Sequence, residues 1–150
     1  MTRTDAREIA VRLCFSLSEN PRPAEEVLEG TFDGEYYATL AKEDGLFGTL
    51  PDGKQMDYIS RVIRGISEHG AELDGYIEKY SRSWQFARIS RTALAILKTA
   101  MFEILYMPDI PERVSINEAV ELAKKYEEPE TVPFVNGVLG TFVRNEVVRE

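Results

Sequence analysis

Apolar residues recur every three or four positions through much of this 150-residue chain. Ile89, Ala93, Ile96, Leu97, Ala100 and Ile104 make one such stripe, and Ile59, Ile63, Ile66, Leu73 and Ile77 make another. Ala6, Ala10, Leu13, Cys14 and Leu17 make a third. That spacing gathers side chains on one face of an α-helix, whereas a half-buried strand alternates with period two. No segment sustains the alternation. The pattern therefore predicts an all-α fold of about seven helices and no sheet.

Breakers and caps set the expected helix limits. A first helix over 4–18 ends at Asn20-Pro21-Arg22-Pro23, because proline lacks the amide the next turn needs. Short helices are expected over 23–30, stopped by Gly30, and over 34–43, followed by a Gly/Asp/Pro-rich loop at 44–53. The stretch 54–80 reads as one long helix, kinked near Gly70 and Gly75. Another helix is expected over 88–106, before the break Met107-Pro108-Asp109-Ile110-Pro111. Ser115-Ile116-Asn117-Glu118 has the form of a capping box, which predicts a helix from 116 to about Tyr126.

VPFVNGVLG, at 132–140, is ambiguous. Asn136-Gly137 between apolar runs is a hairpin signal, yet Val135, Val138, Leu139 and Phe142 follow helical spacing. A lone hairpin with no sheet to join is marginal in water. A helix over 133–147 with Pro133 in its first turn is expected instead. Gly137 then costs about 1 kcal/mol relative to alanine, which suggests close approach of a neighbouring helix. Phe134 falls at the edge of the buried stripe.

The net charge of −8 argues against indiscriminate nucleic-acid binding. The charge is unevenly spread. Residues 20–60 hold nine acids against three bases, while Arg82, Arg88, Arg91 and Lys98 occur in 81–98 with no acid. Arg88, Arg91 and Lys98 fall opposite the apolar stripe of their expected helix. Arg3 and Arg7 share a face at i, i+4, and Arg12 points elsewhere in a structural role. Cations of this kind suit phosphates, and an aromatic such as Phe134 suits an unstacked base of single-stranded RNA.

The sequence holds no phosphate-binding loop, dinucleotide fingerprint, nucleophile elbow or metal-ligand cluster. Cys14 reads as a small core residue and His69 as a helix-surface residue. No cofactor or metal is expected. The N-terminus shows no signal-peptide pattern and no run approaches a membrane span, so a cytoplasmic protein without membrane contact is expected.

Four segments carry a family resemblance: AREIAVRLCFSL near the N-terminus, LAILKTAMFEIL at 94–105, VSINEAVELAKKY at 114–126 and PFVNGVLG at 133–140. In this order they resemble the NusB family of bacterial transcription antitermination factors, over nearly the full family length. The resemblance implies a single NusB-like domain, two small helical bundles packed together, with subdomains of about 1–80 and 81–150. It implies no enzymatic activity. It implies binding of boxA-type single-stranded RNA together with NusE, a small-subunit ribosomal protein, within an RNA polymerase antitermination complex that reads through terminators, notably in ribosomal RNA operons. A homodimer is compatible with it.

Carried over position by position, the resemblance implies RNA-facing roles for Arg3, Arg7, Phe15, Lys98, Arg113 and Phe134. It implies NusE-facing roles for Tyr80 and Trp84. Lys98 stands where the family commonly has arginine, which keeps the charge and loses the bidentate fork. Two other readings differ in class. A helical protein–protein module with weak or no RNA binding is suggested by the acidity and the thin N-terminal basic run. A ribosomal RNA cytosine methyltransferase, to which NusB-like domains are also fused, would need a catalytic domain and a cofactor motif that these residues do not contain.

Overall fold

A computed structural model describes residues 1–81 and 88–147. Among them are eight α-helices and a 3₁₀ turn at Gly45–Phe47. The helices are α1 (Arg3–Glu19), α2 (Ala24–Thr31), α3 (Gly34–Glu43), α4 (Gly53–Glu68), α5 (Gly70–Tyr80), α6 (Arg91–Tyr106), α7 (Glu112–Tyr126) and α8 (Thr131–Glu146). The all-α expectation holds. The contacts divide the chain into two compact units, 1–68 and 69–150. α5 thus groups with the C-terminal helices, whereas the sequence reading carried the first subdomain to about 80.

In the first unit α1 and α2 pack on α4, and α3 closes against α2 and the 3₁₀ turn. Ile9, Ala10, Ile59, Val62 and Ile63 are fully enclosed there. Thr2 caps α1 by accepting the Asp5 amide, and Asp33 caps α3 by accepting two amides. Arg12 reaches from α1 to Asp44, 2.7 Å away, and also faces Glu8 one turn back at 3.6 Å. This is the structural role its off-face position suggested. Cys14 is buried, as expected of a core residue.

In the second unit α6 lies against α5, α7 and α8. Its buried residues include Ala93, Ile96, Leu97, Ala100 and Ile104, which with the buried Ile89 just before the helix make the stripe read from the sequence; Met101 is buried as well. Three helix limits differ from expectation. First, 54–80 is two helices: the chain leaves helical geometry at His69 (φ −105°, ψ 17°), immediately before Gly70. His69 is not a helix-surface residue; its ring stacks on Tyr106 with centroids 4.3 Å apart.

Second, α6 begins at Arg91, because Ser90 is its cap and accepts the Ala93 amide at 3.0 Å. Arg88 therefore precedes the helix, and the expected three-residue cationic stripe is interrupted. Third, α7 begins at Glu112, four residues before the capping-box reading placed it, with Pro111 preset at φ −59°. Ser115 sits inside that helix, and its buried hydroxyl donates to Glu103 Oε1 at 2.9 Å. The motif was locally satisfiable, but a buried carboxylate on α6 holds the hydroxyl instead.

VPFVNGVLG is helical, within α8. Val135, Val138, Leu139 and Phe142 are buried, as the stripe predicted. The expectation for Gly137 fails: it is exposed, and a Cβ built there would meet nothing within 4 Å. It is not a notch for a neighbouring helix.

Candidate RNA and partner interface

The sequence-derived site residues fall into two sets, one in each unit. In the first unit, α1 brings Arg3 and Arg7 one turn apart over the same ring, that of Tyr58 on α4. The guanidinium carbons lie 4.4 Å and 5.7 Å from its centroid. Arg3 is half-buried, and its Nε donates to Gln55 Oε1 at 2.7 Å. Arg7 is only 3% exposed. Phe15, farther along α1, is half-buried. Guanidinium groups held over an aromatic face keep their charge while their stems are covered.

In the second unit, Tyr80 and Phe134 come together. They line one open groove of about 710 Å³ with Lys79, Pro133, Gly137, Val138, Thr141, Asn145 and Glu146. Phe134 is 8% exposed, so it belongs to the core as well as to the groove wall. Gly137 adds a stretch of bare backbone to the same lining.

The groove has its own electrostatics. Lys79 Nζ lies 2.8 Å from Glu146 Oε2, and the Tyr80 hydroxyl donates to the same oxygen. Lys79 and then Tyr80 hold the Glu146 carboxyl below its ordinary range, and the carboxylate in turn holds Lys79 above its own. Burial, followed by the Glu146 bond, pushes the Tyr80 phenol up. The phenol therefore stays a donor at neutral pH.

Lys98 and Arg113 are placed differently. The Lys98 side chain is 17% exposed and its Nζ lies 2.9 Å from Asp74 Oδ1 on α5. Much of its charge is thus met inside the unit. Arg113 is exposed and borders a second groove with Ile104, Ile110 and Val143. Trp84 lies outside the described residues. Among the described residues no cluster of His, Cys, Asp and Glu could hold a metal, and no helix is long and apolar enough to cross a membrane.

Sequence reading missed Gln55, Tyr58, Asp74 and Glu146. Tyr58 adjoins the apolar stripe of α4, which marks it as core and does not reveal that it underlies two arginines. The partners of Lys98 and Tyr80 are on other helices and left no local signal.

Comparison with known proteins places this architecture. Residues 4–144 match the model of the NusB family. The transcription antitermination protein NusB of Clostridium botulinum is 38% identical over 143 residues, covering 95% of this chain and all of that protein. The protein of the same name from a Thermoanaerobacter species is 37% identical, covering all of this chain and 96% of its own. The solved structure of T. maritima NusB superposes with a TM-score of 0.80 at 28% identity, over 99% of this chain and 94% of that one. The family match, the full-length relatives and the shared helical architecture agree: this chain belongs to the NusB family.

Proposed function

We propose that this chain is a noncatalytic, cytoplasmic antitermination factor that binds boxA-type single-stranded RNA together with NusE. In this role it promotes read-through by RNA polymerase, notably in ribosomal RNA operons. Arg3, Arg7, Lys98 and Arg113 meet phosphates, Phe15 and Phe134 offer apolar or stacking contacts, and Tyr80 serves the NusE side. The observation that carries this reading is the meeting of Tyr80 and Phe134 in one groove. The residue assigned to the protein partner and the residue assigned to RNA line the same groove, as a joint surface for both requires. Unstacked bases are held by aromatic walls and phosphates by nearby cations, with no catalytic group needed.

The test is binding of boxA-type and scrambled RNA with and without NusE. Specific binding that NusE strengthens is expected. Phe134→Leu, which keeps the core filled, should weaken it by about fivefold or more. Equal binding of boxA-type and scrambled RNA under both conditions would end the proposal.

The burial of Arg7 and the pairing of Lys98 with Asp74 favour one alternative, a protein–protein module with weak RNA binding. That reading gains if NusE is retained by the chain while RNA discrimination is absent.

A further inference from the structure

We propose that Gln55 and Tyr58 are positioning residues that hold the Arg3 guanidinium as a preset fork for one RNA phosphate. The inference rests on the RNA-binding reading above. It goes beyond it by assigning a role to two α4 residues that neither the sequence motifs nor the family resemblance singled out.

A guanidinium has five N–H donors in a fixed plane. In Arg3 one of them, Nε–H, is committed to Gln55 Oε1 at 2.7 Å. The Tyr58 ring covers the group at 4.4 Å. Among the described residues, the two terminal nitrogens of Arg3 have no hydrogen-bond or ion-pair partner, and the side chain is only half-buried. Their N–H groups form the paired edge that matches two oxygens of a phosphate.

The support beneath them is itself fixed. Gln55 and Tyr58 are three apart on α4, hence on one face. Asp52 accepts the Gln55 amide at 2.9 Å, which fixes the turn that presents the glutamine. Tyr58 is 1% exposed, so its ring has little freedom to move. An arginine on an unsupported helix end samples many rotamers before it meets a ligand. This one meets it already oriented, which strengthens binding by reducing the ordering that binding requires.

The test is a double-mutant cycle on boxA-type RNA binding by the full chain with NusE, with helicity checked by circular dichroism. Arg3→Ala should weaken binding about tenfold and reduce the slope of log affinity against log salt by about 0.7, the value of one single-strand phosphate contact. Gln55→Ala should weaken binding about threefold. The pair should be no weaker than Arg3→Ala alone, because Gln55 acts only through Arg3. Arg3→Lys should abolish the effect of Gln55→Ala, since an ammonium presents no fork.

Tyr58→Leu, which removes the ring beneath the guanidinium, should resemble Gln55→Ala. Arg3→Ala binding with the parent's affinity and salt slope, or losses that simply add, overturns this inference and leaves the RNA reading standing. Absence of specific RNA binding by the parent complex overturns both.

Discussion

Gly137→Ala separates the folding role of α8 from its surface role. Gly137 lies inside a sixteen-residue helix, is exposed, and has nothing within 4 Å of where a Cβ would stand. The methyl group therefore meets no neighbour. Alanine restricts the unfolded chain and favours the helix, so the protein should gain about 1 kcal/mol. For a chain of this length that corresponds to a rise in Tm of about 3 °C.

Yet Gly137 also lines the groove that holds Tyr80 and Phe134. If the bare backbone there is what lets RNA or NusE approach, the same substitution should weaken the complex while stabilising the free protein. Gly75→Ala in α5 is the matched control, exposed and equally open but absent from the groove lining. It should raise stability by a similar amount and leave binding unchanged. Urea midpoints, calorimetry and RNA–NusE titrations read all three quantities. A lower Tm for Gly137→Ala would refute the claim that the position is open. Unchanged binding would refute the claim that its openness serves the groove.

Other outcomes follow from the same geometry. Phe134→Ala should destabilise the chain by about 3 kcal/mol, read as a lowered urea midpoint, because the ring is buried as well as groove-facing. Ser115→Ala removes a hydrogen bond to the wholly buried Glu103 and should lower the unfolding free energy by about 1.5–3 kcal/mol in the same assay. Glu146→Gln tests the groove electrostatics. The folded carboxyl titrates below its usual 4.5, so its stabilisation is present above that pH and is lost as pH falls through the lower folded value. The parent should therefore be the more stable of the two at pH 6, and the difference should fade toward pH 3.

Helix identity was legible because it depends on periodicity, and periodicity is local. The stripe Val135/Val138/Leu139/Phe142 overruled the Asn-Gly hairpin signal, and it lies buried on α8. Helix ends were less legible, since several residues compete to cap. Ser115 fits a capping motif but is held by Glu103, while Ser90, in a less patterned stretch, is the cap of α6.

The candidate site was legible as a set of residue types and not as an arrangement. Arg3 and Arg7 were placed on one face by spacing alone, but the Tyr58 ring beneath them belongs to another helix. The charge of Lys98 was visible in the sequence, while Asp74, which meets it, was one acid among many. Pairings between elements depend on how helices dock, which local spacing does not encode.

α6 is in contact with helices on three sides, and nearly every side chain from Ala93 to Ile104 is enclosed. Substitution there is constrained by volume and satisfaction of buried groups. The outward residues of α5 and α8, including Lys79, Gly137, Thr141 and Asn145, carry far less of that constraint. If the groove is where RNA or NusE sits, much of its ligand preference falls to residues that the core constrains little, with Phe134 and Val138 shared between the two. Such a scaffold can diverge in what it recognises, by small changes along one groove, without first passing through an unstable ancestor.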